Sequence, residues 1–146
     1  YHIKDAWIID EHFSWKFLHT LDHHFKFHLD RYKYSSRYQP DEKILYRDKA
    51  LSWVEQLDEK LNKSSYLSVD SIGIFDYISF PFIRQFRIAD PVWFDGCDLP
   101  NLHRRLYEFE QSNLFQQVMQ KVPSWKKMVL RYSFNLLYIN NTFRCV

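Results

Sequence analysis

The chain has 146 residues, which suits a single domain, and its 46% hydrophobic and 26% charged residues are typical of a folded globular protein. Aromatic residues make up 19% but glycine occurs only twice, which excludes glycine-rich phosphate loops and argues against a turn-dense β-sandwich. The formal net charge of +2 excludes a strong attraction for polyanions over the whole surface.

The first half of the chain has two regions of helical periodicity separated by a loop. Apolar residues recur at helical spacing over residues 13–34. Either Asp22 ends one helix there and caps the next, or the first helix runs on past it. Pro40 lies in a polar segment, residues 35–41, which predicts the loop. The clearest helix follows, with one apolar stripe formed by Ala50, Val54, Leu57 and Leu61.

A buried helix is predicted to begin at Gly73, with Asp76 in the position of a capping acid. Since no charged residue lies between Asp76 and Arg84, we expect burial on most sides. Its apolar side chains recur every fourth residue, at Ile74, Ile78, Phe82 and Phe86.

The remaining segments predict a loop, two more helices and a tail. Residues 90–100 are bounded by prolines and predict the loop, and Ser112 is placed to cap a short last helix. The helix between them carries an apolar stripe of Leu102, Leu106 and Phe109. Residues 126–146 have no clear period and form a tail of uncertain structure. The sequence therefore predicts an all-α bundle of five to six helices over residues 1–125.

Cellular location is predicted from features that the sequence lacks. No apolar run approaches the roughly 20 residues of a membrane helix, and the first residues lack the apolar segment of a secretory signal. Cys97 and Cys145 are too few and too far apart for a disulfide framework or a zinc site. We expect a cytoplasmic protein with reduced thiols and no membrane partner. Because the chain begins at Tyr1, we also expect it to be part of a longer protein.

Four histidines are candidate metal ligands in the sequence, with Asp22 or Asp30 as a candidate third ligand. The pairs His19/His23 and His24/His28 are each four residues apart, so each pair lies on one helix face, where two imidazoles are able to share a metal ion. The segment lacks the glutamate of zinc-protease signatures, and solvated surface histidines explain the pattern equally simply. We therefore predict no metal site.

A second candidate is the alternation of cations and tyrosines over residues 30–38. Cations beside rings suit phosphates and stacked bases, but a helix end whose tyrosines pack inward has the same pattern. The carboxylates nearby and the small net charge argue against nucleic acid as a partner. Nucleic-acid binding through residues 31–38 is therefore ranked last of three hypotheses for the function.

Three sequence phrases, in order over residues 12–125, resemble the C-terminal helical domain of glutathione S-transferases. They are FKFHLDRYKY at 25–34, GIFDYISFPFIRQF at 73–86 and SNLFQQVMQKVPSW at 112–125. In that family a Ser or Thr cap, with an Asp three residues on, opens a buried central helix. Here Gly73 replaces the hydroxyl cap and Asp76 supplies the acid, so both are expected to be structural. Local capping predicts that Asp76→Ala costs about 1 kcal/mol.

The resemblance implies an electrophile-binding and dimerisation domain. In full-length members a thioredoxin-like N-terminal domain binds glutathione and activates its thiol, which then attacks an apolar electrophile. That domain is not in this chain, so we expect no catalytic residue and no cofactor here, with glutathione a co-substrate of the full-length form only. The expected partners are that domain or a second subunit, as in a homodimer. The residues expected to line the electrophile pocket are Phe25, Arg31, Tyr32 and Tyr34.

The alternative hypothesis is a non-catalytic protein–protein interaction module with the same helical fold. Such domains also occur as docking units in translation-associated assemblies. A bundle without its partner domain would expose an apolar patch. The two hypotheses differ in whether the complete protein uses glutathione.

Overall fold

The computed structural model describes residues 11–120, and within this range all helices and turns assemble into one all-α fold. The α-helices are α1 (Glu11–Thr20), α2 (Lys26–Lys33), α3 (Lys43–Lys63), α4 (Ile74–Ala89), α5 (Pro91–Asp95), α6 (Pro100–Gln111) and α7 (Asn113–Val118). A π-helical turn, Leu21–Phe25, joins α1 and α2 into one rod, which gives six rods in the described range. The predicted all-α bundle of five to six helices is confirmed, whereas the predicted tail, residues 126–146, lies outside the described residues.

Of the two alternatives at Asp22, the helix break is wrong and the continuous helix is confirmed, because the chain remains helical from α1 through the π turn into α2. The Asp22 carboxylate accepts a hydrogen bond from Lys26 Nζ at 2.7 Å, one turn further on, instead of capping a new helix. Leu21 and Phe25 are both buried in this turn, so the packed apolar face continues across it. With no Gly or Pro at this point, nothing in the backbone favours an interruption.

The loop predicted over residues 35–41 contains two short 3₁₀ turns, Ser35–Arg37 and Pro40–Glu42, before α3 begins. All four residues of the predicted stripe of α3 are buried, and α3 packs against α2 and α6. Asp58 on α3 also accepts a hydrogen bond from the Leu102 amide, at 2.7 Å. This long-range bond satisfies a free amide in the first turn of α6, where no local side chain acts as a cap.

Helix α4 is largely interior, but its most buried face differs from the predicted one. Of its 16 residues only Tyr77, Ile88 and Ala89 are exposed. The fully buried side chains are Phe75, Asp76, Ser79, Phe80, Ile83 and Phe86. The predicted row of Ile74, Ile78 and Phe82 is half-buried and packs against the edge of the core. Because both rows are apolar, spacing in steps of four did not distinguish the face that is fully covered.

The predicted loop over residues 90–100 contains a short helix, α5. Asp90 accepts a hydrogen bond from the Trp93 amide at 3.2 Å, and Pro91 occupies the first helical position, where its missing N–H costs nothing. Phe94 on this turn is fully buried. The predicted cap of α7 is present, since Ser112 Oγ accepts a hydrogen bond from the Phe115 amide at 3.2 Å.

The core is rich in aromatic side chains, and Phe86 on α4 lies at its centre. Its ring meets four others edge-on, with centroid distances of 5.5–5.8 Å. These rings belong to Phe25, Tyr32, Trp93 and Phe94. The cluster therefore joins the π turn, α2, α4 and α5. None of the helices in the described part of the chain has the length and apolar character that crossing a bilayer requires.

Candidate functional site

The N-terminus of α4 is organised by the carboxylate of Asp76, which is completely buried. Asp76 Oδ2 accepts a hydrogen bond from the Gly73 amide at 3.1 Å, which is the acid half of a capping box. The same carboxylate also accepts hydrogen bonds from the amides of Leu67, at 2.9 Å, and Ser68, at 3.2 Å. Asp76 therefore fixes both the start of α4 and the connection that precedes it.

Gly73 is required at this point because the chain passes very close to Ser68. A Cβ atom at Gly73 would lie 2.6 Å from Ser68 Oγ and 2.7 Å from Ser68 Cβ, closer than real Cβ contacts. The backbone of Gly73 itself is extended, a conformation open to any residue. The packing thus explains why glycine, and not a residue with a capping hydroxyl, occupies this position.

We expect Gly73→Ala and Gly73→Ser each to lower the free energy of unfolding by about 1–3 kcal/mol, although Ser restores a capping hydroxyl. Urea unfolding followed by circular dichroism measures the change. Adding Ser68→Gly to Gly73→Ala removes both clashing atoms and is expected to recover part of the loss. A Gly73→Ala variant as stable as the parent chain would contradict this interpretation.

The four residues predicted to line a pocket do not share one surface. Phe25 and Tyr32 are 0% and 1% exposed and belong to the core. Arg31 is half-buried and Tyr34 is exposed, both at the C-terminal end of α2. The separation follows from helical geometry, since Phe25 and Tyr32 are seven residues apart and share the core-facing stripe, whereas Arg31 lies off it.

Two groups of rings and cations near the C-terminal end of α2, one around Arg31 and one around Tyr34, form what we call the cation–aromatic surface. It comprises Phe27, Arg31, Lys33, Tyr34, Arg37, Tyr38 and Tyr46. The guanidinium carbon of Arg31 lies 3.5 Å from the ring centroid of Phe27, 4.8 Å from that of Tyr38 and 5.9 Å from that of Tyr46. Sequence reasoning missed Phe27 and Tyr46, which lie outside residues 30–38; the step of four from Phe27 to Arg31 was the available signal.

Two carboxylates hold the tyrosines of this surface. Tyr38 Oη donates a hydrogen bond to Asp30 Oδ2 at 2.5 Å, and this bond raises the pKa of Tyr38. A hydrogen bond to Glu42 likewise raises the pKa of Tyr46. These hydrogen bonds hold the rings of Tyr38 and Tyr46 beside Arg31.

The histidine pairs form ring contacts along the helix. The rings of His19 and His23 stack with centroids 4.3 Å apart, and those of His24 and His28 meet edge-on at 4.5 Å. Nδ1 of His23 and Nδ1 of His28 lie 3.2 Å and 2.7 Å from the carbonyl oxygens of His19 and His24. Within residues 11–120 no group of three or more His, Cys, Asp or Glu side chains converges as metal ligands would.

Burial lowers the pKa of His28, and the positive charges of Lys49 and Arg31 act in the same direction. Because the unfolded chain then binds the proton more readily, stability falls as the pH drops from the unfolded pKa of about 6.5 toward the lower folded value. We expect His28→Gln to weaken the decrease in melting temperature between about pH 7.5 and pH 5.5. Thermal melts at several pH values test this, with His23→Gln as a control for the loss of an imidazole. An unchanged pH dependence in His28→Gln would refute it.

The thiol of Cys97 is partly buried and packs against the core. Burial raises the pKa of the Cys97 thiol, which lies 3.4 Å from the carbonyl oxygen of Trp93, so its reactive thiolate form is disfavoured.

A cleft of about 230 Å³ lies between α4, α5 and α6. Its cation Arg87 donates to both oxygens of Asp95, at 2.6 and 2.9 Å, and Arg84 pairs with Glu110 at 3.0 Å. These ion pairs link the three helices and give the cleft a structural role.

No protein-family model matches this chain, and no curated protein or solved structure matches it either. The likeness to glutathione S-transferases therefore rests on the three sequence phrases.

Proposed function

We propose that this chain is the helical domain of a glutathione S-transferase-like protein, located in the cytoplasm. In this proposal it supplies one wall of the electrophile site and part of the dimer contact to a full-length form that joins glutathione to apolar electrophiles. The observation that supports it is the start of α4, where buried Asp76 holds the Gly73 amide and opens a largely interior helix. This is the central-helix arrangement that the resemblance implies.

The proposal gives each predicted site residue a role according to its exposure. Arg31 and Tyr34 have accessible atoms and are the proposed electrophile contacts, whereas buried Phe25 and Tyr32 support them from the core. The thiolate of glutathione is proposed to be activated on the thioredoxin-like domain. Burial of Cys97 agrees with this division, because a thiol of raised pKa is a poor nucleophile near neutral pH.

The test compares residues 1–146 with the product of the complete reading frame. We expect the complete product to bind immobilised glutathione and to conjugate a chloronitrobenzene. Residues 1–146 alone should show neither activity at millimolar glutathione. Turnover by residues 1–146 alone would overturn the proposal, as would a complete product that contains no thioredoxin-like domain.

The second candidate, a non-catalytic interaction module of the same fold, is favoured by exposed apolar side chains. Val92 on α5 is 88% exposed, Val118 on α7 is 71% exposed and Trp15 on α1 is 67% exposed. A contiguous patch of such side chains would mark a surface that another chain covers, whereas single exposed apolar residues are normal. Light scattering of the complete product, with and without glutathione, separates the candidates. A stable assembly in a protein that neither binds nor conjugates glutathione would favour the module.

A further inference from the structure

Positive charge is concentrated in the part of the chain that carries the cation–aromatic surface. Residues 26–49 hold seven Lys and Arg side chains and four Asp and Glu side chains, a net charge of +3. The whole chain carries only +2, so the rest of the molecule is net negative by one charge. Part of this excess lies away from the surface, because Lys26 pairs with Asp22 and Arg47 lies over Trp93. Arg31, Lys33 and Arg37 are the cations that an anion would meet at the surface.

The carboxylates among these cations are partly engaged with neighbouring groups. Asp30 accepts the hydrogen bond from Tyr38, and Glu42 holds Tyr46. Asp48 accepts hydrogen bonds from Arg47 at 2.9 and 3.0 Å. Hydrogen bonding leaves the negative charge of each carboxylate in place, and the local net charge of +3 already counts all four of them.

Three rings of this surface are accessible and each lies beside a cation. Phe27, Tyr34 and Tyr38 are 43%, 38% and 46% exposed. Arg31 lies against Phe27 and Tyr38, and the guanidinium carbon of Arg37 lies 4.6 Å from the centroid of Tyr34. Lys33 Nζ is 5.2 Å from the same centroid and also donates to Gln85 on α4 at 2.8 Å. An exposed ring accepts a stacked base, while the cation beside it meets the adjoining phosphate.

We infer that the cation–aromatic surface binds single-stranded nucleic acid without sequence preference. A duplex keeps its bases stacked within the helix and would use only the cations, whereas unpaired bases use the rings as well. An acidic polypeptide would likewise use only the cations. The inference shares Arg31 and Tyr34 with the proposed electrophile site, but it does not rest on the proposed function, since it involves neither glutathione nor a second domain.

The test is fluorescence anisotropy of a labelled oligo(dT) strand titrated with the full 146-residue chain. Tyr34→Leu removes an exposed ring and is expected to weaken binding by at least about fivefold, while Tyr34→Phe keeps the ring face and the affinity. Tyr107→Leu is the matched control, because Tyr107 is an exposed tyrosine on α6, outside the surface. It should leave the affinity unchanged.

Salt dependence tests the cations independently of the rings. Three phosphate contacts predict a slope of about −2 for the logarithm of the association constant against that of the salt concentration. Arg37→Gln should reduce the slope by about 0.7, and Arg104→Gln, an equal loss of charge on α6, should not. Circular dichroism confirms that each variant is folded. If Tyr34→Leu fails to fold, the two arginine variants decide.

Several outcomes would overturn the inference. They are no binding at about 50 mM salt, equal binding of a duplex, competition by polyglutamate at equal charge, and equal effects of the surface and control variants. The glutathione assay measures none of these quantities. Failure of the nucleic-acid inference is therefore distinguishable from failure of the proposed function.

Discussion

Replacing Asp76 by alanine is expected to lower the free energy of unfolding by about 3–5 kcal/mol, several times the cost of an ordinary helix cap. The variant removes the acceptor of three amides, those of Leu67, Ser68 and Gly73, from a completely buried position. The Leu67 amide is buried, and a buried donor left without a partner costs about 1–3 kcal/mol. This cost adds to the lost cap at Gly73 and to the lost bond of the part-buried Ser68 amide. Urea or thermal unfolding of the purified variant measures the difference.

The matched control is Asp70→Ala, which removes the same charge from an exposed position in the same connection. We expect that variant to change stability by less than about 0.5 kcal/mol. A loss of only about 1 kcal/mol in Asp76→Ala would mean that the Leu67 and Ser68 amides find other partners and that only the local cap matters.

The role of Asp76 illustrates how far the sequence predicts this structure. Gly73 and Asp76 are three residues apart, so the cap between them could be predicted from local spacing. The amides of Leu67 and Ser68 reach the same carboxylate only because the preceding connection folds back over the start of α4. The sequence contains no pattern that predicts this fold of the connection. Sequence analysis therefore predicts a much smaller loss of stability for Asp76→Ala.

The elements that were predicted correctly depend on local sequence signals, whereas most of those that were missed depend on contacts between distant residues. The stripe of α3 and the Ser112 cap of α7 depend on neighbours within a few residues, and both are present. The continuous rod through Asp22 depends on packing of the buried Leu21 and Phe25, which overrides the local capping preference of aspartate. Helix α5 did have a local signal, the pair Asp90–Pro91, which is typical of a helix start.

The site residues differ in the same way. Tyr32 and Tyr34 are both tyrosines beside cations in the sequence, yet one is core and the other surface. The two tyrosines lie at different angles around the helix axis. Which of these angles faces the core is known only from the packing of α2 against α3. Tyr46 comes to Arg31 from the following helix, a contact that the turn geometry between α2 and α3 creates.

Replacing Phe86 by alanine is expected to lower the free energy of unfolding by about 3–5 kcal/mol. Phe86 is 0% exposed, and its ring meets four other aromatic rings edge-on, so the variant leaves a cavity and removes their common neighbour. The surrounding rings are held by the π turn, α2, α4 and α5, which limits how far they relax into the space. Urea unfolding followed by circular dichroism gives the size of the loss.

Phe27→Ala is the matched control, since it removes the same side chain from a position that is 43% exposed. Its expected cost is below about 1 kcal/mol. An apolar cavity of this kind stays dry and admits a small aromatic molecule, so benzene should raise the melting temperature of Phe86→Ala and leave that of Phe27→Ala unchanged. If Phe86→Ala costs no more than the control, the rings around Phe86 rearrange freely. In that case the aromatic cluster does not hold α4 against α2 and α5.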